Sequence, residues 1–170
     1  MLQHTFWATT QLLTPVTNEQ MLGHYIYGNG QPLTIDQLGV APLLHSTVKK
    51  KGAFGMSGSI ESRFTEQIVT KFKAGNRNYT FNSSYNVGSE IGVWAFGSGV
   101  ISGQFDGTIN KLPNGKYRVI GTINYQFSDV FEDPYDTFNW IPGSYDPNGK
   151  PYKITGAWSE NIDKILDVNR

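Results

Sequence analysis

Several features that would narrow the function of a chain are missing from this sequence. It has no cysteine among its 170 residues, which excludes disulfides, thiolate metal sites and a cysteine nucleophile and leaves the redox compartment open. Fourteen basic residues balance fourteen acidic residues, so there is no overall positive field and a nucleic-acid partner is not expected. Charged residues make up only 16% of the chain, which excludes a coiled coil and a charged disordered chain.

Long apolar runs are also missing. The longest uncharged stretch is residues 91–105, which glycine and serine interrupt and which is shorter than the roughly 20 residues that span a bilayer. The first twenty residues contain no Lys or Arg and no sustained apolar block, so we expect no secretory signal there. A chain of this length and composition predicts one soluble domain, residues 1–170.

The sequence does have abundant glycine and aromatic residues, which favour a twisted, turn-rich β structure. Apolar and polar positions alternate in residues 99–111 and again in residues 116–128, on either side of Pro113-Asn114-Gly115. Alternation interrupted by a turn sequence predicts an antiparallel hairpin. We expect this hairpin to lead directly into the acidic and aromatic segment that follows it.

Helices are predicted mainly near the N-terminus. Thr17 and Gln20 form a capping-box pattern before a helix over residues 18–27, and a second short helix is predicted over residues 34–38. Residues 60–72 fit either a helix or a strand. Ser159 is expected to cap a final helix whose apolar face contains Ile162, Ile165 and Leu166.

These elements predict an α+β fold. Short N-terminal helices are expected to pack on a twisted antiparallel sheet or open half-barrel, with residues 1–50 mainly helical and residues 51–158 mainly β.

The segment after the hairpin concentrates acidic side chains. Five of the fourteen acidic residues fall within residues 129–146. Clustered carboxylates in a fold meet a cation, titrate abnormally or remain solvated in turns, and the sequence leaves these alternatives open. Hard oxygen ligands suit Mg²⁺ or Ca²⁺, although no spacing here matches an EF-hand loop. The three histidines are too dispersed for a zinc motif, and neither a P-loop nor a Gly-x-Ser-x-Gly elbow occurs.

Three features in the same order resemble the toxin domain of colicin M and related bacteriocins. Asp133-x-Tyr135-Asp136 resembles the start of the active-site motif of that family. The stretch His24-Tyr25-x-Tyr27-Gly28-Asn29-Gly30 resembles a helix end in the toxin domain, and the Asn114-Gly115 hairpin lies at a similar distance before the motif. The resemblance extends over roughly residues 12–140.

The resemblance implies an enzyme that cleaves the peptidoglycan precursor lipid II between its undecaprenyl chain and its pyrophosphate. Asp133, Tyr135 and Asp136 would be catalytic, and Asp133 and Asp136 would hold Mg²⁺ or another divalent cation. The family motif continues with a His-Arg pair where this sequence has Pro142 and Gly143. The candidate supporting residues are His24, Asp129, Glu132, Asn139 and Arg118, of which His24 and Arg118 are candidates to replace the missing pair.

The resemblance also implies where such a protein acts and what it meets. We expect a monomer that is secreted or delivered from a producing bacterium, acts on lipid II in the periplasm of the target cell, and is neutralised by an immunity protein. Two other functions stay open at the level of sequence. One is a non-catalytic membrane-surface or carbohydrate-binding domain that uses Trp94, Trp140 and Trp158, for which burial in the core is the simpler interpretation. The other is an effector that damages membranes through residues 91–105.

Overall fold

The computed structural model describes residues 14–132 and 149–167. Within them the structure contains four α-helices and five β-strands. The helices are α1 (Asn18–Tyr27), α2 (Ala41–Lys49), α3 (Ile60–Lys73) and α4 (Val87–Ile91), and the strands are β1 (Leu33–Thr34), β2 (Thr80–Asn86), β3 (Ser98–Lys111), β4 (Tyr117–Phe131) and β5 (Tyr152–Leu166).

The strands form one open sheet in the order β1-β5-β4-β3-β2. Strands β3 and β4 are the predicted hairpin, which is confirmed. Short β1 pairs parallel to β5, with Leu33 opposite Ile154, so the sheet is mixed and not purely antiparallel. The predicted α+β class and open sheet are confirmed.

Two close approaches of backbone explain why glycine occurs at facing positions of the hairpin. A Cβ added at Gly107 would lie 2.3 Å from the carbonyl oxygen of Ile120, and one added at Gly121 would lie 2.3 Å from that of Asp106. Only glycine allows the two strands to lie this close.

Helix α1 forms as the capping box predicts. The Gln20 amide donates to Thr17 Oγ1 at 3.3 Å, and the Thr17 amide donates to Gln20 Oε1 at 2.9 Å. The ambiguous residues 60–72 are helical: Ser59 and Ser62 cap α3 in the same reciprocal manner, and the helix buries Ile60, Phe64 and Ile68 along one face. The cap and the apolar face at helical spacing together favour the helix over a strand.

The predicted helix over residues 34–38 is wrong. Thr34 and Gln37 do exchange the hydrogen bonds of a capping box, but the chain makes only a turn there, and β1 ends at Thr34. The next helix begins later: Pro42 lies in the first turn of α2, where its missing N–H has no cost.

The predicted C-terminal helix is also wrong. Residues after Ser159 continue β5, and the even-numbered positions Tyr152, Ile154 and Ile162 are buried. The Ser159 hydroxyl donates across to Asn124 Oδ1 on β4 at 2.6 Å and caps nothing. Pairing with a strand distant in sequence overrides the weak helical spacing of Ile162, Ile165 and Leu166.

The chain divides into two compact units. Unit 1 consists of Met1–Leu44, Ser84–Val100 and Phe127–Gly156, and unit 2 consists of His45–Ser83, Ile101–Gln126 and Ala157–Arg170. The core of unit 1 includes Met21, Tyr25, Phe127, Phe131 and Tyr152, and that of unit 2 includes Phe64, Ile68, Ile123 and Tyr125. Whether residues 1–170 form a single domain stays a prediction.

Within the described residues, no helix is long and apolar enough to cross a membrane. Residues 91–105, considered above as a membrane-damaging stretch, contain the end of α4, a short helical turn at Trp94–Phe96 and the first half of β3.

Candidate functional site

The predicted site residues fall into two groups. Asp133, Tyr135, Asp136 and Asn139 lie outside the described residues, as does Trp140. His24, Asp129 and Glu132 lie in unit 1, and Arg118 lies in unit 2. The described part of the site is therefore the end of β4 and the parts of unit 1 that pack around it.

The stretch that begins at His24 is a helix end with a buried imidazole. His24 is 7% exposed, and its Nε2 donates to the Gln31 carbonyl oxygen at 2.8 Å, after the turn that ends α1. A Cβ at Gly28 would lie 2.5 Å from His24 Nδ1, so the helix can end against the imidazole only with glycine there. Asn29 follows with a φ of 54°, a conformation that asparagine tolerates better than most residues. His24 thus positions this turn.

Asp129 occupies the core face of β4. Tyr117, Val119, Ile123, Tyr125, Phe127 and Phe131 alternate along that face and are all buried. Asp129 has the same parity, so its carboxyl lies between Phe127 and Phe131 on an otherwise apolar row. Two ring pairs join β4 to β5: Phe131 stacks on Tyr152, and Tyr125 stacks on Trp158. The residue number rises along β5 as it falls along β4, so the two strands are antiparallel. In this register Asp129 lies opposite Ile154.

The two oxygens of Asp129 have different surroundings. Oδ1 accepts a hydrogen bond from the Val130 amide at 2.8 Å. Oδ2 is buried and has no hydrogen-bond partner among the described residues. Burial raises the pKa of Asp129 to about 7; the Val130 amide opposes this shift and the nearby charge of Glu132 adds to it. A carboxylate without a partner for one oxygen is costly away from water, so the proton remains on it to higher pH.

Tyr152, the first residue of β5, packs beside this carboxyl. Its hydroxyl donates to the Met21 carbonyl oxygen at 3.1 Å, its ring stacks on Phe131 with centroids 5.1 Å apart, and the ring of His24 contacts it edge-on at 4.6 Å. Burial and, secondly, the charge of Asp129 raise the pKa of Tyr152. The phenol therefore stays protonated and acts as a fixed donor that ties β5 to α1.

The chain on both sides of residues 133–148 is held against α1. On one side, Phe131 packs against Tyr25 with ring centroids 5.7 Å apart. On the other, the Lys150 amide donates to the Tyr25 carbonyl oxygen at 2.9 Å, and Lys150 Nζ donates to Asn29 Oδ1. A Cβ at Gly149 would lie 2.1 Å from the Tyr25 ring. The acidic segment thus begins and ends at anchored residues.

Arg118 lies in unit 2 and has a partner there. Its Nε and NH2 groups donate to the two carboxylate oxygens of Asp163, at 2.9 and 2.6 Å. This fork geometry occupies the guanidinium with a carboxylate on β5. The role of Arg118 as a replacement for the missing pair stays a prediction.

The described residues supply only part of a cation site. Among them, no group of three or more His, Asp or Glu side chains is arranged to hold a metal ion. Glu132, which precedes Asp133 in the sequence, is a hard oxygen donor of the kind that Mg²⁺ takes. The carboxylates of Asp133 and Asp136 are of the same kind; both residues lie outside the described part of the chain, and their ligand roles stay predictions.

The tryptophans divide between surface and core. Trp94 is 62% exposed, so burial is the wrong interpretation for it. Trp158 stacks between Tyr125 and His45, with ring centroids 5.2 and 4.6 Å away.

Comparisons with known proteins give a likeness in structure. No protein-family model and no curated protein sequence matches the chain. PaeM, a colicin M-like bacteriocin produced by Pseudomonas aeruginosa, matches with a TM-score of 0.54 and 14% identity over 91% of this chain and 52% of PaeM. The bacteriocin syringacin M from Pseudomonas syringae pv. tomato matches with a TM-score of 0.50 and 20% identity over 88% of this chain and 52% of its own.

This chain has the colicin M-like fold. The resemblance inferred from Asp133-x-Tyr135-Asp136 and from the helix end at His24 is confirmed at the level of the fold. The chain spans about half the length of these two bacteriocins.

Sequence reasoning missed part of what the colicin M-like fold brings together. Tyr152 was not singled out, because its partners Met21, His24 and Phe131 are distant in sequence. Asp129 was considered only as a supporting residue. The sequence contains a pattern that distinguishes Asp129. If the alternation of apolar and polar residues in β4 is continued past Phe127, Asp129 falls on the apolar face.

Proposed function

We propose that the protein is an antibacterial toxin domain that cleaves lipid II between undecaprenyl and pyrophosphate. The observation that carries the proposal is the fold, which this chain shares with a colicin M-like bacteriocin over 91% of its length. The Asp133-x-Tyr135-Asp136 motif supports it, since the motif follows β4 directly.

The chemistry of the residues is consistent with this reaction. A phosphate ester is anionic, and carboxylates alone would repel it. Asp133 and Asp136 would hold Mg²⁺, whose positive charge would offset that of the phosphate oxygens. Tyr135 would donate a hydrogen bond that orients the substrate. The anchors on Tyr25 at both ends of residues 133–148 support a site built at this end of β4, because a catalytic group needs a supported backbone.

Lipid II presents its headgroup at the outer face of the inner membrane, so the proposed site of action is the periplasm of a target bacterium. A producing cell that exports such an enzyme needs a neutralising partner, which would be an immunity protein. The protein would act as a monomer that meets its substrate at the membrane surface.

Purified protein incubated with lipid II and Mg²⁺ tests the activity. We expect release of undecaprenol, and we expect Asp133→Ala to lower the rate by a factor of about 100 or more. Asp146→Ala is the matched control, since Asp146 lies in the same acidic segment outside the motif. Absence of undecaprenol with wild-type protein would reject the hydrolase.

Expression in bacteria tests the location. With a fused signal peptide the protein should cause lysis, and without it the cells should grow. Asp136→Ala should reduce killing from the periplasm. Equal toxicity from the cytoplasm would contradict lipid II as the target, because the headgroup would then be on the other side of the membrane.

A further inference from the structure

Asp129 is an acidic residue on the apolar face of β4. It interrupts the apolar row of β4 between Phe127 and Phe131, and an ionised carboxylate there is destabilising. An asparagine or threonine would fill the position at a lower cost. A group that keeps its proton until neutral pH on such a face is of the kind found at sites of proton transfer.

Cleavage of an alkyl phosphate ester requires a group that donates a proton to the departing oxygen. The departing oxygen of a polyprenol is strongly basic and leaves readily only when it receives a proton. His24 and Tyr152 also carry protons near the end of β4. His24 Nε2 is hydrogen-bonded to the Gln31 carbonyl, and the Tyr152 hydroxyl is hydrogen-bonded to the Met21 carbonyl. Both are occupied with the backbone, whereas Asp129 Oδ2 has no partner among the described residues.

We propose that Asp129 is the catalytic residue that gives its proton to the departing undecaprenyl oxygen. This inference rests on the proposed function. Water forms a bond to phosphorus, the bond from phosphorus to the undecaprenyl oxygen breaks, and the Asp129 proton passes to that oxygen to give undecaprenol. One hydrogen of the attacking water remains on the new phosphate oxygen, and the other returns to the Asp129 carboxylate. Asp129 as a residue is only partly buried, and rotation about its Cβ–Cγ bond, which is a soft torsion, would move the protonated oxygen out of its buried position.

The surrounding charges explain how the proton is held. Glu132, the residue after β4, is the titratable group whose charge acts on Asp129 within the described residues, and Asp129 in turn acts on Tyr152 of β5. On α1, His24 contacts the Tyr152 ring edge-on. Glu132 favours the protonated form of Asp129, and the phenol of Tyr152 remains neutral because its pKa is raised. The site therefore holds a carboxylic acid that is ready to donate at neutral pH.

A comparison of two substrates tests the role. The first is lipid II, and the second is the same diphospho-sugar headgroup carrying para-nitrophenol, whose oxygen leaves without a proton. We expect Asp129→Asn to lower kcat on lipid II by a factor of about 100 or more and to change kcat on the nitrophenyl ester little. The wild-type rate on lipid II should fall above pH about 7, where Asp129 loses its proton. In the pH profile of Asp129→Asn this decrease should be absent.

Asp106→Asn is the matched control, because it makes the same change at an exposed position of β3. It should leave both rates and the pH profile unchanged. Carboxyl-carbon NMR of the wild-type protein gives a readout that needs no activity: Asp129 should titrate at about pH 7.

Each outcome decides between the two proposals. Equal losses on both substrates, or wild-type rates for Asp129→Asn, would overturn the role of Asp129 and leave the hydrolase intact. Titration of Asp129 near its ordinary value would also overturn it. Inactivity of the wild-type protein on lipid II would reject the proposed function, and the role of Asp129 with it.

Discussion

Unit 1 and unit 2 handle charged side chains in opposite ways. Among the described residues of unit 2, two ion pairs join a helix to β5, Lys49 with Glu160 and Lys164 with Glu61, and a third joins β4 to β5, Arg118 with Asp163. In unit 1, Asp129 has a buried oxygen with no hydrogen-bond partner among the described residues. Pairing satisfies a charge and leaves it inert, whereas an unsatisfied acid is reactive and costs stability. This difference agrees with the proposed role of Asp129 in unit 1 and with a structural role for the ion pairs of unit 2.

Core substitutions should give the largest effects and test whether the units unfold together. Ile154 in unit 1 and Ile123 in unit 2 are both fully buried. Ile154→Ala and Ile123→Ala should each lower the free energy of unfolding by about 2–5 kcal/mol. Because β3, β4 and β5 each run through both units, we expect a single transition in calorimetry. The control is Ile165→Ala on β5, which removes a side chain that is 59% exposed. Two separate transitions, with only one shifted by each variant, would contradict a single domain 1–170.

Two glycines of α1 should respond with opposite sign and sharpen the description of unit 1. Gly28→Ala places a Cβ against His24 and should destabilise the protein by about 1–3 kcal/mol. Gly23 has no atom within 4 Å of an added Cβ and lies within the helix, so Gly23→Ala should stabilise it by about 0.5–1 kcal/mol. Urea unfolding measures both changes. Equal effects of the two substitutions would mean that His24 does not fix the helix end.

Asp129 should make unit 1 sensitive to pH. Its pKa in the folded protein is raised from an ordinary value of 3.8 to about 7, so the folded state holds this proton more tightly than the unfolded chain. The stabilisation is complete below pH about 4 and is lost as pH rises towards about 7. With allowance for the partial exposure of Asp129, the change is about 1–2 kcal/mol. Asp129→Asn should flatten the free energy of unfolding over this range; an unchanged slope would contradict the shift.

Asp163 in unit 2 should show the opposite sign and the smallest effect. The hydrogen bonds from Arg118 lower the pKa of Asp163, and the charge of Arg118 adds to this. Its stabilisation is therefore present above the unfolded pKa and is lost as pH falls through the folded value. Asp163→Asn should leave stability near pH 7 almost unchanged, because exposed ion pairs contribute little. Thermal unfolding at acidic pH should show a smaller loss for Asp163→Asn than for wild type. An equal loss of stability at acidic pH for Asp163→Asn and wild type would contradict the lowered pKa of Asp163.

The sequence predicted those elements whose determinants are local. Helix α1 begins at a capping box within four residues of chain, and the β3–β4 hairpin combines alternation with a turn at Asn114-Gly115. The strand β5 was mistaken for a helix because its partners on β4, such as Asn124, lie about 35 residues away. Short caps such as Thr34 and Gln37 form whether or not a helix follows, so the motif alone overpredicts helices.

The site was predictable in part for the same reason. The motif at Asp133 is contiguous in sequence, and its assignment stays a prediction. The surroundings of Asp129 depend on Tyr152 and on the register of β4 against β5, which no local pattern contains. The parity of Asp129 on its strand was the one local clue.

The anchors at the ends of residues 133–148 have a consequence for how this fold can diversify. Phe131 and Tyr152 stack on each other, so the chain on either side of these sixteen residues is fixed by contacts outside them. For a chain closed between fixed ends, each doubling of loop length costs about 0.6 kcal/mol of closure entropy. Residues added between the same two rings and outside the Asp133-x-Tyr135-Asp136 motif should therefore cost the fold little stability, which would let specificity evolve separately from the fold.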